Sequence, residues 1–339
     1  MISNATFMSI QCVEIQHYLL YYRTPPDVAS YPAGQVITLS IFAIIFIVGV
    51  LGNCCVIYAI YRFAALRNTR NIFIGSLSTS DLFVAFFSLP GSAYTLVYKE
   101  WKFGSLLCHT IPMIQGIGVL ISGFTLTAIA LDRYRLIVQS NRTAINNTAA
   151  LMINAVIWCL AISICIPSAL HCDLTRLPFR NTLYCGYFCL ETWGDLRLRK
   201  CYGLVVLIFQ FAIPLVSSAF CYSKIIWILN RRLIIRQAKE AGTKASKRQV
   251  EALRKTQRTN LMFVLMVLAF AGCWFFRALL NILDDFDTTP DLFVQHRYVV
   301  IIIAHMMAMT SIVWNPIFYA FLNESFHTAF VELFPAILK

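Results

Sequence analysis

Residues 106–134 read LLCHTIPMIQGIGVLISGFTLTAIALDRY, a segment of 26 residues without Asp, Glu, Lys or Arg that is closed by Asp132-Arg133-Tyr134. A helix rises about 1.5 Å per residue and the hydrocarbon core of a bilayer is about 30 Å thick, so this segment is long and apolar enough to cross it. Working outward, comparable runs lie at 36–62, 71–98, 148–170, 202–230, 258–283 and 297–322, which with 106–138 makes seven spans. The expected fold is an all-α membrane protein, a seven-transmembrane helix bundle. Composition agrees: 59% of the 339 residues are hydrophobic, 13% are charged and mean hydropathy is +0.69, which excludes a string of soluble domains.

Charge sets the orientation. The links 62–71, 133–147 and 224–260 and the tail hold 18 of the 28 Lys and Arg residues, against nine in the N-terminus and the other three links; Arg277 alone lies within a span. The positive-inside rule therefore puts the N-terminus outside the cell and the basic links in the cytoplasm. Concentration of the +12 charge in membrane links also removes nucleic acid as the expected partner and points to lipid instead. The first 35 residues lack the basic start and compact apolar run of a cleavable signal, so the first span is expected to anchor the chain. The chain is thus expected to divide into an extracellular N-terminus 1–35, a seven-transmembrane domain 36–322 and a cytoplasmic segment 323–339. Of the Asn-x-Ser/Thr sequons, only Asn4 falls outside, where a glycan can be attached.

Polar groups inside spans are costly and mark function. Asp81 sits near the middle of the second span, and Ser122, Ser311 and Asn315 offer oxygen atoms from other spans. Such a set suits a hard cation such as sodium; a protonated or water-bridged Asp81 is the alternative. No other metal or cofactor is expected. Asp132 and Arg133 end the third span as an acid–base neighbour pair whose rupture would free an arginine for a partner.

Taken in order, Gly52-Asn53, Leu77 to Asp81, Asp132-Arg133-Tyr134, Trp158, Pro214 with Tyr222, Cys273-Trp274 and Asn315-Pro316-Ile317-Phe318-Tyr319 put one landmark in each span. Over residues 35–335 the chain resembles the rhodopsin-like, or class A, G-protein-coupled receptors. Within them Gln115, Gln210, Asn281, Asp285 and His305, with Trp101-Lys102-Phe103-Gly104, resemble the neuropeptide Y, neuropeptide F and FMRFamide-like peptide receptor group, nematode members included. The resemblance implies a plasma-membrane receptor, not an enzyme, that binds a peptide ending in Arg-Phe-amide or Arg-Tyr-amide and activates a G protein, of the Gi/o class. It implies a short amphipathic eighth helix over Phe321–Phe334 and a disulfide from Cys108 to Cys189, with Cys185 as the other possible partner and the pairing of Cys12, Cys172 and Cys201 open. Asp132, Arg133, Tyr134, Tyr222, Phe270, Trp274, Asn315, Pro316 and Tyr319 would form the activation switch.

The chemistry of the pocket follows from these residues. Asn281 and Asp285 are four apart and share a helix face, where a carboxylate can pair a peptide guanidinium through two charge-assisted hydrogen bonds. Gln115 offers both a donor and an acceptor, which a terminal carboxamide matches and a free acid does not. Gln210 and His305 complete the set; bonding of Gln115 to Gln210 is the plainer alternative. Two departures stand out: Phe276 occupies the place where the family has its kink proline, and Arg277 follows it on the stripe of Asn281 and Asp284/Asp285. Arg277 is expected either to hold a carboxylate of the ligand or to pair with the receptor's own acids, Asp285 among them, which makes a non-amidated peptide or acidic small molecule the alternative ligand. A retinal protein is excluded because 297–322 contain no lysine, and neither a file of ionisable groups for a channel nor a metal or Ser/His/Asp set for an enzyme is present.

Overall fold

The structure, a computed structural model, describes residues 12–15, 18–19, 28–139, 145–179, 182–239 and 244–333. Asn4 lies outside them. Seven helices are long and apolar enough to cross a membrane: α1 Pro32–Arg62, α2 Thr69–Tyr98, α3 Gly104–Ile137, α4 Asn147–Leu170, α5 Leu196–Arg236, α6 Arg248–Asp285 and α7 Arg297–Leu322. A short helix, Asp291–Gln295, precedes α7, and the eighth helix, α8, spans Glu324–Leu333. The basic link between α5 and α6 continues both helices, to Lys239 on one side and from Lys244 on the other.

Local chemistry sets the helix starts. Pro32 occupies the first turn of α1, where its missing N–H costs nothing. Asn68, Asn146 and Asp195 cap α2, α4 and α5 by accepting from the backbone N–H of Asn71, Ala149 and Arg197. The Asp195 cap begins α5 six residues before the apolar run at 202, through the polar turn Leu196–Cys201. Two helices contain π segments, Val84–Ser88 before Pro90 and Ile208–Ala212 before Pro214. A proline cannot donate to the preceding turn, and the wider π turn absorbs the lost bond.

Lipid is as apolar as leucine, so close approach and interhelical hydrogen bonds hold the bundle. Asn53 of α1 donates to the carbonyls of Gly49 and Ile312, both at 2.9 Å, and Trp158 of α4 donates to Ser76 of α2 at 2.9 Å. A Cβ at Gly52 would lie 2.8 Å from Pro316, so glycine lets α1 press against α7. About half of α2 and α3 is buried against under a third of α1, α4 and α5, whose Ile44, Leu51, Leu151 and Val216 are exposed in rows that water would not tolerate. The chain is a multi-pass membrane protein.

One link departs from the all-helical expectation. Between α4 and α5, β1 (Cys172–Thr175) pairs antiparallel with β4 (Phe188–Glu191), and β2 (Pro178–Phe179) with β3 (Thr182–Leu183). Val13 joins this hairpin, donating to Leu183 O at 3.0 Å and accepting from Cys185 N at 3.0 Å. The eighth helix starts three residues later than expected because Asn323 is extended, its side-chain oxygen accepting from Ser325 N.

Candidate functional site

At the end of the bundle that carries the N-terminus, two disulfides fix the link over the helices. Cys108 of α3 bonds to Cys189 of β4, the pair the resemblance implied, and Cys12 bonds to Cys185. The second resolves the open pairing and leaves Cys172 and Cys201 as free thiols. Trp101 is buried beside Cys108 and Cys172, its backbone N–H donating to Tyr187 O at 2.7 Å and its indole N–H to Gly104 O at 2.8 Å. Ile15 and Leu19 pack with Phe188 and Tyr298, bringing the N-terminal segment over the bundle. Lys99, in a left-handed backbone conformation, donates to Ser30 Oγ at 2.8 Å and lies over the Tyr298 ring, tying α2 to the starts of α1 and α7.

The expected ligand residues lie on four helices, Gln115 on α3, Gln210 on α5, Asn281 and Asp285 on α6 and His305 on α7. Gln115 of α3 accepts through Oε1 from the Ser88 hydroxyl at 2.9 Å. That contact depends on the π turn ending at Ser88, and it replaces the expected alternative of a bond to Gln210. Oε1 keeps a second lone pair, and both amide hydrogens remain for a ligand. Gln210 lies in the other π segment, half-buried and without a side-chain hydrogen bond among the described residues. Asn281 is exposed. His305 is 5% exposed, with Nε2 lacking a partner among the described residues and its ring 6.1 Å from that of Phe42.

Asp285 is already engaged, and by a residue that sequence reasoning passed over. Arg199, in the first turns of α5, pairs with Asp285 at 2.9 Å. A Cβ at Gly203 would lie 2.8 Å from Oδ2 of Asp285, so a glycine one turn along from Arg199 leaves space for the carboxylate. Asp284 likewise pairs with Arg297, at 3.0 Å, and accepts from the Thr289 hydroxyl. Arg277 therefore has neither acid as an ion-pair partner, against the expectation that it might be neutralised by Asp285. Phe276 places its ring edge-on to Phe293 of the short helix before α7, and α6 runs unbroken through it.

In the middle of the bundle Asp81 is buried and accepts from Asn315 Nδ2 at 3.0 Å. Ser122 donates to its own helix at Gly118 O, keeping its lone pairs, and Ser311 is half-buried. Hard oxygen donors of this kind suit a small cation, but of the expected set only Asn315 is brought onto Asp81 by a hydrogen bond among the described residues. Phe270 stacks on Phe211 at 5.9 Å with Trp274 buried one turn above it.

The opposite, basic end is closed around Arg133. Asp132 holds its guanidinium at 2.5 Å, and Tyr134 packs against Phe220. Tyr222 and Tyr319 are buried with hydroxyls that have no partner among the described residues, and Tyr319 stacks on Phe326 of α8. Arg258 of α6 donates to Phe321 O at 2.7 Å, and Lys255 pairs with Glu324 at 3.2 Å, fastening α6 to the junction of α7 and α8. A cavity of about 280 Å³ opens here, lined by Arg70, Arg133, Lys255, Arg258, Asn260 and Glu324.

Comparison with known proteins agrees with this arrangement. The profile of the 7 transmembrane receptor (rhodopsin family) matches residues 52–319. The neuropeptide receptor npr-1 of Caenorhabditis elegans is 30% identical over 93% of this chain and 76% of its own length. Neuropeptide receptor 3 of the same organism is 32% identical over 87% and 77%, and the neuropeptide F receptor of Drosophila melanogaster 30% over 87% and 61%. With a landmark in every span and this match across them, the chain belongs to the rhodopsin family of seven-transmembrane receptors, among its neuropeptide receptors, and is not an enzyme.

Proposed function

We propose that this receptor takes an amidated peptide ending in Arg-Phe or Arg-Tyr at the end that carries the N-terminus, outside the plasma membrane, and activates a heterotrimeric G protein of the Gi/o class at its basic end. The observation that carries the reading is Asp285, which holds a guanidinium at 2.9 Å in the receptor alone. A peptide arginine entering from outside exchanges one guanidinium for another of the same planar, forked geometry, releasing Arg199 to water. Gln115, with one lone pair and two amide hydrogens uncommitted, suits a terminal carboxamide. Repacking of Phe270 and Trp274 would pass the event along α6 to the contacts of Arg258 and Lys255, whose rupture widens the cavity beside Arg133. A sodium ion would be held by Asp81, Ser122, Ser311 and Asn315. A second reading, a non-amidated peptide or an acidic small molecule, draws on Arg277, which makes no close ion pair among the described residues.

The test is activation of G proteins in cells expressing the chain, challenged with amidated Arg-Phe-ending and Arg-Tyr-ending peptides, with and without pertussis toxin. Activation abolished by the toxin supports both ligand class and coupling. Silence across the panel at normal surface expression contradicts the ligand class, and toxin-insensitive activation contradicts Gi/o alone.

A further inference from the structure

The cavity of about 280 Å³ at the basic end falls just below the roughly 300–1,000 Å³ of typical small-molecule sites, and its lining is polar. Four bases, Arg70, Arg133, Lys255 and Arg258, and one acid, Glu324, share it, and Leu322 is its one apolar residue among those described, so neither an aromatic ring nor an acyl chain has a surface to lie on. Three of the cations are engaged in part: Asp132 holds Arg133 at 2.5 Å, Glu324 holds Lys255 at 3.2 Å, and Arg258 donates to Phe321 O at 2.7 Å. The Nε–H groups of Arg70 and Arg133 are buried with no partner among the described residues. Lys255 and Arg258 are half-exposed, whereas Asn260 is 2% and Asn323 4% exposed, so the cavity leads from solvent to a buried wall. In that wall Asn323 Oδ1 accepts from Ser325 N at 3.2 Å, which makes Nδ2 a donor, and Asn260 Nδ2 donates to Thr256 O at 2.8 Å, which makes Oδ1 an acceptor. Neither of these remaining atoms has a partner among the described residues. Buried polar groups left unpaired are costly, and several around one cavity point to a ligand that pairs them.

We propose that this cavity binds a phosphate ester of a polyol. A phosphate carries about 1.5–2 negative charges at neutral pH and three acceptor oxygens, which the four cations and Asn323 Nδ2 match, and arginine grips such oxygens two at a time. A hydroxyl beside the ester supplies the donor that Asn260 Oδ1 lacks. A carboxylate brings one charge and two oxygens and leaves part of this set unmet, and a nucleotide brings a base with no ring to stack on. The ester comes either from the headgroup of an inositol lipid in the adjoining leaflet or from a soluble inositol phosphate. Its ligation joins α2 and α3, which carry Arg70 and Arg133, to α6 and to the α7–α8 junction. The proposed activation separates α6 from that junction, so the bound ester holds the resting arrangement; this consequence rests on the coupling proposed above, whereas the binding does not.

The site is tested with neither peptide nor G protein, on the purified full chain in lipid nanodiscs. In discs of phosphatidylcholine the unfolding temperature is read with inositol trisphosphate and with plain myo-inositol. In a second arm, with no soluble probe, discs containing phosphatidylinositol bisphosphate are compared with discs containing phosphatidylserine at equal charge. The expected result is a rise of about 2–4 °C with the phosphate-bearing probe over its control in at least one arm. That rise is at least halved in Arg70→Gln and in Asn323→Ala, and kept in Arg231→Gln, which removes an exposed base outside the cavity lining. A rise in the first arm identifies the soluble ester, and a rise in the second alone identifies the lipid. No rise in either arm, or one that Arg231→Gln diminishes as much as Arg70→Gln and Asn323→Ala do, overturns the proposal; the wild-type comparison and Asn323→Ala stand even if Arg70→Gln does not fold. Toxin-insensitive or absent G-protein activation leaves the thermal result as it is, so the two readings fail separately.

Discussion

Removing Arg199 should make the receptor more sensitive to its peptide. The ion pair Arg199–Asp285 is closed at 2.9 Å with Arg199 38% and Asp285 17% exposed, so it belongs among partly solvated pairs worth about 0.2–1 kcal/mol. A peptide arginine must displace it. Arg199→Gln removes that competition and should lower the EC50 by about 1.4- to 5-fold. Asp285→Asn removes the contact itself, a charged hydrogen bond of about 1.5–3 kcal/mol, less the cost of displacing Arg199; the net of roughly 0.5–2.8 kcal/mol raises the EC50 about 2- to 100-fold. In the Asp285→Asn background Arg199→Gln should do nothing, which makes the pair strongly non-additive. The assay is concentration–response of G-protein activation by one amidated Arg-Phe-ending peptide on the four receptors at matched surface expression. If Arg199→Gln instead weakens activation as much as Asp285→Asn does, the ion pair is a support of the pocket and not a rival of the ligand, and the reasoning fails.

Three further outcomes follow from other contacts. Glu324→Gln frees Lys255 and Arg258 of α6 from α8, half-exposed pairs at 3.2 and 3.8 Å, and should raise ligand-independent signalling by a few-fold at most; no rise would remove these contacts from the switch. Cys185→Ser unties the N-terminal segment from the hairpin while leaving Cys108–Cys189 intact, and should weaken peptide potency with surface expression retained; unchanged potency would show that the segment carrying Ile15 and Leu19 does not meet the ligand. Burial, with Glu191 and Asp173 nearby, pushes the Cys172 thiol up to about 11. Its thiolate is thus about a thousandth of the total at pH 8, and maleimide labelling of Cys172 should be slow there and rise about tenfold per pH unit to pH 10; labelling at the rate of an ordinary thiol would contradict its burial.

Much of this architecture was legible because a bilayer demands long apolar runs, and each of the seven appears within a few residues of its expected place. The exceptions are α5 and α6: α5 starts six residues early through polar turns with Arg197, Arg199 and Lys200, for which Asp195, a good helix cap, was the signal, and α6 starts ten residues early because the basic link continues its helix. The π turns were invisible to a fixed helical period, although Pro90 and Pro214 mark both, and they set the contact of Ser88 with Gln115. Cys12 and Cys185 are 173 residues apart, and no spacing rule joins cysteines at that distance. Pairing of Asp285 with Arg199 was hidden for the same reason: two surface-facing groups on helices adjacent only in space. What periodicity did convey was the shared stripe of Arg277, Asn281 and Asp285 on α6, without saying which charges were already paired.

The central claim is that the pocket reads a terminal carboxamide beside an arginine, and one comparison addresses it most directly: activation by an amidated Arg-Phe-ending peptide and by its free-acid twin, on wild type and on Gln115→Leu. The account predicts that the acid is weaker on wild type by roughly five- to more than a hundred-fold, the cost of about 1–3 kcal/mol for one wrongly paired buried group, and that the gap narrows on Gln115→Leu. Equal potency of the two peptides on wild type, or a gap untouched by Gln115→Leu, would contradict it.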